Sequence, residues 1–265
     1  MEQKHGTYHD SGLHIRYIAI TDIGKVRNNN DDNFLVNTDC NCFAIADGVG
    51  SLVGSNNASL IALDIIKKKY KKPKIPFLFF KKNKIYEKNK NIIGEILQEA
   101  NTSIYNLKIN SGENIATTVV ASFFFGNECI VAHVGDSRFY KIHENFIEQV
   151  TVDHSLKNEI LRKSEHKIAQ SDIKILKNII TRALGANKTV LCEFNRVPIY
   201  PYNFFMLCSD GLTSMLNADT ISSIVCNQQI DLIKKGHTLI ESANIAGGKD
   251  NITVILVEIS KNPLS

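Results

Sequence analysis

The chain has 265 residues, 43% hydrophobic and 22% charged, which is room for one sizeable core or two small domains and the composition of a soluble globular protein. That balance excludes dominant disorder, collagen-like repeats and coiled coils, and no stretch approaches the roughly 18 apolar residues of a membrane span. The net charge of +4 hides an asymmetry, because residues 67–91 hold eleven lysines and one glutamate while the other 20 basic and 26 acidic residues leave the body at −6, which argues against a nucleic-acid-binding surface.

Along the chain, MEQKHGTYHD lacks the apolar segment of a secretory signal, so a cytoplasmic protein is expected. Strands are predicted at 14–20, 33–37 and 42–46, from β-branched and aromatic runs bounded by Gly, Asp and Asn. A helix follows over about 57–70. Residues 67–91 then interrupt the pattern, since Pro73 and Pro76 break helix and the lysines repel one another. An exposed insertion is expected there, partly disordered, with IPFLFF packing locally or touching a partner. A solvated loop, docking to an acidic protein and contact with an anionic membrane are the alternatives, in that order. Helical spacing returns over 92–109, at Ile93, Ile96, Leu97, Ala100, Ile104 and Leu107. Strands at 117–125, 129–134 and 137–142 follow with short turns, which favours antiparallel neighbours. A helix at 155–164, a strand at 203–208, helices at 218–227 and 230–246 and a strand at 252–258 complete the pattern. Blocks of strands separated by blocks of helices predict an α+β layered fold. The cysteines, at 40, 42, 129, 192, 208 and 226, form no C-x-x-C pair and sit mostly in apolar runs, so buried reduced thiols are expected.

The aspartates carry the chemistry. Asp47 ends FAIAD, Asp136 ends VAHVGD, Asp210 ends MLCSD, and Asp250 opens DNITVILV; the pair Asp31-Asp32 precedes the strand at Phe34. A carboxylate beside a buried strand is costly unless a cation or good hydrogen bonds accompany it. Taken singly, Asp47-Gly48 and Asp210-Gly211 read first as turns. Five such places in one chain point to convergence on a shared cation. An all-oxygen ligand set suits Mg²⁺ or Mn²⁺ rather than zinc or copper. Gly48 lets the backbone come close and offers its carbonyl. Two ions about 4 Å apart, sharing Asp47, would activate a bridging water. Arg27 suits a bidentate phosphate clamp; an ion pair with Asp31 or Asp32 explains it equally well. Metals with one arginine point to phosphoryl transfer to water.

Eight ordered segments then carry a resemblance: TDIGKVRNNNDDNF, FAIADGVGS, ATTVVASFF, VAHVGDSRFY, VTVDHS, ITRALG, FMLCSDGL and GGKDNITVILV. Together they resemble the PP2C-like (PPM) family of metal-dependent Ser/Thr protein phosphatases, in its compact bacterial form, over nearly the whole chain except 52–110. The resemblance implies two antiparallel β-sheets forming a sandwich flanked by helices, as a single domain over 1–265. It implies hydrolysis of phosphoserine and phosphothreonine by a water activated between two metal ions, in opposition to a Ser/Thr kinase. By position, Asp47 would bridge both ions, Gly48 would offer its carbonyl, and Asp210 and Asp250 would complete the first ion. Asp31 and Asp32 would serve the second, directly or through water. Asp136 with Asp210 would fit a third, weaker ion, Arg27 would hold the substrate phosphate, and Asn251 would orient the last loop.

The sequence also departs from the family pattern. Val49 stands where many eukaryotic members have a histidine assigned as general acid, so the leaving alkoxide needs another proton source. Gly50-Ser51 replaces a glycine pair, and Asp31 replaces a glutamate, one methylene shorter. His133 reads as a core histidine and His154 as a helix start, with a proton-donor role the alternative for each. Segment 156–180 falls where the family carries a mobile flap. A non-catalytic phosphoprotein-binding module and a small phosphate-ester hydrolase are the competing functions. Phosphoprotein substrates, no nucleic acid and a monomer are expected.

Overall fold

The computed structural model describes residues 1–10, 13–50, 55–72, 82–143, 146–163, 173, 175–200 and 203–261. Twelve strands are named among them: β1 (Glu2–Asp10), β2 (Leu13–Asp22), β3 (Asp32–Asn37), β4 (Cys42–Gly50), β5 (Ile115–Thr117), β6 (Val119–Phe125), β7 (Glu128–Val134), β8 (Arg138–His143), β9 (Phe146–Gln149), β10 (Glu193–Pro198), β11 (Asn203–Cys208) and β12 (Ile252–Lys261). The helices are α1 (Ser55–Lys69), α2 (Lys82–Ser111), α3 (Leu156–Lys163), α4 (Asp210–Thr213), α5 (Ala218–Val225) and α6 (Leu232–Ile245). One sheet runs β1-β2-β12-β11-β8-β9 and the other β10-β7-β6-β4-β3, with β5 added to the far end of β4. The pairings are antiparallel. The fold is therefore an α+β sandwich of two antiparallel sheets with helices outside each.

The central strands are apolar on both faces because both faces are covered. From β4, Phe43 and Ile45 point between the sheets, where they join Val120, Phe124, Phe205, Leu207, Ile255 and Val257. The alternate residues Cys42, Ala44 and Ala46 join Ala58, Ala62, Ile66, Ile93 and Leu97 of α1 and α2. On the opposite side, Ile18, Ile20, Val254 and Leu256 meet Ile221, Val225, Leu239 and Ile240 of α5 and α6. The period-two alternation thus feeds three cores at once.

Several expectations change in detail. The strand expected over 117–125 is two strands, β5 and β6, divided at Thr118. Strands β1, β9 and β10 were not expected. Each is a sheet edge, and edges read as polar because one side of the strand has no neighbour to bury against. The first of them, EQKHGTYHD, pairs with β2 along its whole length, from Glu2↔Thr21 to Asp10↔Leu13. The six cysteines are free thiols, and four of them are buried.

The lysine-rich stretch is not wholly an exposed loop. Helix α1 runs to Lys69 and α2 starts at Lys82. Tyr70 is 1% exposed and Asn89 is also buried. The Tyr70 ring lies against Phe123, centroids 4.4 Å apart. Lys68 pairs with Asp64 and Lys69 with Glu99, while Lys72 pairs with Asp10. The run of lysines therefore continues core-packed helices at both ends. Pro73, Pro76 and IPFLFF lie outside the described residues. Removing the Tyr70 ring leaves a cavity against Phe123, so Tyr70→Ala should cost about 3–5 kcal/mol in urea unfolding. Lys71→Ala, at an exposed position next to it, should stay within about 0.5 kcal/mol.

Candidate metal centre

The aspartates meet because strand register and strand ends place them at one edge of the sandwich. Asp32 opens β3 and lies opposite Asp47 of β4, so the two side chains share a face. Strand β4 pairs with β6 up to Ile45 and with β5 from Gly48 onward. Asp47 sits where the partner changes, and the Thr117-Thr118 junction of β5 and β6 holds its backbone. The Thr118 amide and the Thr117 hydroxyl donate to the Asp47 carbonyl, each at 2.8 Å. The Asp47 amide donates to Thr118 Oγ1 at 3.2 Å. Asp136 follows β7 in the turn after Gly135, Asp210 starts α4 after β11, and Asp250 lies just before β12.

Loop 23–31 is fastened to the same edge. Asn251 accepts from the Asp31 amide at 2.8 Å and donates to the carbonyls of Ile23 and Asn29 at 3.0 and 2.8 Å. The Lys25 amide donates to the Gly248 carbonyl at 2.7 Å. Gly24, at φ +79°, leaves no room for a Cβ, which would lie 2.2 Å from the Asp250 carbonyl oxygen. The Asp31 carbonyl accepts from the Gly48 amide at 3.2 Å and from Ser59 Oγ at 2.7 Å. Asp31 and Gly48 are thus neighbours through their backbones.

Burial and mutual repulsion raise the carboxyls of this cluster. Asp32 is buried. Its Oδ2 accepts from Ser209 Oγ and Thr253 Oγ1, both at 2.7 Å. Because Thr253 donates to Asp32, its oxygen accepts from Thr21, and Thr21 in turn accepts from Asn30 Nδ2. Even with these donors, burial pushes the Asp32 carboxyl up to about 7, and Asp210 and Asp250 add to the rise. Burial, then Asp210 and Asp153, take Asp136 to about 7. Burial and the charges of Asp32, Asp210, Asp136 and Asp250 hold Asp47 well above the carboxylate range. Burial and Asp250 raise Asp210. Asp32 Oδ1 and Asp136 Oδ1 are buried without a hydrogen-bond partner.

Divalent ions fit this arrangement. The donors are carboxylate oxygens, two of them are buried orphans, and the mutual repulsion asks for positive charge between them. Arg27 supplies some of that charge: it donates to Asp250 Oδ2 at 2.7 Å and pairs with neither Asp31 nor Asp32. Its side chain is 54% exposed. The Asp250 bond raises its pKa, with Asp47 and Asp210 acting the same way from further off.

The hydroxyl set of Thr21, Thr117, Thr118, Ser137, Ser209 and Thr253 escaped the reading by residue type. Apart from Thr21, its signal lay in ATT, GDS, CSD and NIT, where a small hydroxyl stands close to a site aspartate in sequence or across the sheet from one. His133 and His154 form a different cluster. Among the described residues they and Glu193 are the one group of three metal-type side chains whose donor atoms all lie within 4.8 Å. A cation already fills that space. Arg182 lies 3.1 Å from Glu193 Oε1 and 3.3 Å from His154 Nε2. Of segment 156–180, residues 164–172 and 174 lie outside the described residues.

The model of the Protein phosphatase 2C family matches residues 25–238, which contain seven of the eight expected site residues, all except Asp250. The chain belongs to the protein phosphatase 2C family. It is a serine/threonine protein phosphatase. It is 33% identical over 246 residues to the serine/threonine phosphatase stp of Listeria welshimeri, covering 90% of this chain and 93% of the relative. The structure of the Streptococcus agalactiae serine/threonine phosphatase is similar at a TM-score of 0.81 and 29% identity, over 92% of this chain and 99% of that one. The catalytic domain of the phosphatase PstP, solved in complex with 2 manganese ions, is similar at a TM-score of 0.77 and 25% identity, over 94% and 100%.

The raised carboxyl values set how the stability of this phosphatase depends on pH. For Asp32 and Asp136, protonation favours the fold: the contribution is complete below the ordinary value of 3.8 and is lost as pH rises through about 7. Metal-free protein should therefore melt several degrees lower at about pH 8 than at about pH 5, by scanning fluorimetry. Adding Mn²⁺ should raise the melting temperature more at the higher pH, because deprotonated carboxyls bind it.

Proposed function

We propose that this phosphatase hydrolyses phosphoserine and phosphothreonine in proteins by direct attack of water at phosphorus, in a centre built from Asp31, Asp32, Asp47, Asp136, Asp210, Asp250 and the Gly48 carbonyl. The observation that carries the reading is the crowd of mutually repelling carboxyls with two buried, unpartnered oxygens. Asp47, at the partner switch of β4, would be shared between two divalent ions. Asp210 and Asp250 would complete the first, Asp32 with Asp31 the second, and Asp136 with Asp210 a third. Either Mn²⁺ or Mg²⁺ suits an all-oxygen set, and the manganese held by PstP makes Mn²⁺ the ion to test first. Bound there, such ions lower the pKa of water and offset charge on the phosphoryl oxygens.

The protein's own groups set the geometry. The guanidinium of Arg27, steadied at one nitrogen by Asp250, turns its other N–H groups toward solvent, where a phosphate dianion can accept them. The water oxygen bonds to phosphorus as the bond from phosphorus to the Ser or Thr oxygen breaks; the attacking water keeps one proton on the new phosphate and releases the other to solvent water, and the leaving oxygen takes a proton from solvent water in exchange. Val49 cannot give one, and His133 and His154 are each under 3% exposed and held in other bonds. Asp31, Asp47, Asp210 and Asp250 are half-buried at the edge of the sandwich, which suits a phosphorylated segment of another protein. A groove of about 690 Å³ that would hold a small molecule is lined by Arg16, Phe204, Lys235 and Glu258, with none of the proposed metal-site aspartates in its wall. The reading completes as a single domain with a lysine-rich insertion near 67–91, monomeric, working in the cytoplasm against a Ser/Thr kinase.

Asp47→Ala and Asp210→Ala should each abolish Mn²⁺-dependent hydrolysis of a phosphothreonine peptide, with EDTA as control and circular dichroism unchanged. Activity equal to wild type in both would end the bimetal reading. Arg27→Ala should raise KM by about tenfold, the worth of a charge-assisted bond, and change kcat by less than about threefold.

A further inference from the structure

The Gly135 peptide that leads into Asp136 is gripped from both sides by one residue. Its amide donates to Nδ1 of His154 at 3.0 Å, and its carbonyl accepts from the His154 amide at 2.9 Å. Gly135 sits at φ +108°, and a Cβ there would lie 2.6 Å from Thr118. On its far side, Ser137 Oγ is 2.7 Å from Thr118 Oγ1, the same oxygen that receives the Asp47 amide. The turn carrying Asp136 is therefore wedged between Thr118 and His154.

His154 is also where the two ends of segment 156–180 come together. The Thr181 amide donates to the His154 carbonyl at 2.8 Å, and the Leu156 amide donates to the Ile179 carbonyl at 2.9 Å. Glu193 of β10 gathers both ends: Arg162 donates to Oε1 at 2.9 Å and Arg182 donates to the same oxygen at 3.1 Å. Because Nδ1 accepts from Gly135, the neutral ring carries its proton on Nε2, which faces Glu193 Oε1 at 3.3 Å. The His133 ring stacks on the other face, 4.6 Å between centroids, and its Nε2 donates to the Val152 carbonyl.

We propose that His154 is a positioning residue for the carboxylate centre, its Nδ1 fixing the Gly135-Asp136 turn while its backbone and Nε2 tie that turn to both ends of segment 156–180. The inference rests on the reading of Asp136 as a metal ligand. Burial, with His133 and Arg182 alongside, takes the imidazole down to about 4. Nδ1 thus stays an acceptor at neutral pH. Its contact to the centre runs through the backbone of Gly135, so its effect falls on the aim of Asp136 and not on the reacting atoms.

The side-chain geometry offers a discriminating pair of variants. Asparagine places an oxygen where Nδ1 stands, whereas glutamine reaches the Nε2 position and leaves the Gly135 amide without an acceptor. Calorimetric titration with Mn²⁺ should show His154→Gln binding about tenfold more weakly than wild type, and His154→Asn within about twofold. Amide hydrogen exchange at Gly135 should quicken in His154→Gln alone. Asp136→Asn separates the two claims: if it binds Mn²⁺ like wild type, the ligand reading of Asp136 is wrong. If it binds weakly while His154→Gln binds normally, the positioning role alone is wrong. Should His154→Gln fail to fold, wild-type exchange decides. Mn²⁺ should slow exchange at Gly135, Leu156 and Thr181 together, and protection of Gly135 without the other two overturns the coupling.

Discussion

Negative charge packed at one end of the sandwich is the constraint on which the rest of this structure turns. Asp32, Asp47, Asp136 and Asp210 are each driven above the ordinary carboxylate range by burial and by one another. Left to themselves they oppose the fold. The surrounding hydroxyls and amides fix where the carboxyls point, and they add no positive charge. Arg27 answers one carboxylate at a partly exposed position, where solvent weakens the pair. The remaining imbalance suits divalent cations, so the same feature that weakens the metal-free fold is the one the proposed chemistry would use.

Such a site needs a stiff frame, and the frame is drawn from both sheets. Thr21, Ser209 and Thr253 belong to one sheet or its strand ends, while Asp32 and Asp47 belong to the other. The bonds from Ser209 and Thr253 to Asp32 therefore cross the sandwich. Asn251 makes the corresponding connection for loop 23–31, satisfying three backbone groups with one side chain. Positions far apart in sequence thereby share a few ångströms of space, and the three apolar cores hold the strands that present them.

The proposed role for His154 extends that frame toward segment 156–180. The imidazole pair is buried, and its charge partners are already counted: Glu193 is held by Arg162, and its carboxyl is pulled down to about 2 by that bond first. A cluster of two histidines and a glutamate with two arginines in attendance has no need of a metal. Its proposed value is geometric, joining the turn before Asp136 to the two ends of segment 156–180.

Much of this was readable in the residues. Runs such as FAIAD and FFMLCSD announced strands buried on both faces that end in a carboxylate, because such a side chain cannot stay inside an apolar sheet. The order of those runs carried the family. Three of the four edge strands stayed hidden, since runs such as EQKHGTYHD and FNRVP pair through backbone groups that residue types do not report, whereas β3 was legible. The burial of Tyr70 amid lysines was equally invisible, since local charge says nothing about what a helix end packs against. Which carboxylate Arg27 meets, which hydroxyls aim Asp32, and that His154 grips Gly135 depend on antiparallel register and on partners up to 223 positions away. Chemistry of single side chains is written locally. Their mutual placement is a product of strand pairing, and only the folded chain decides it.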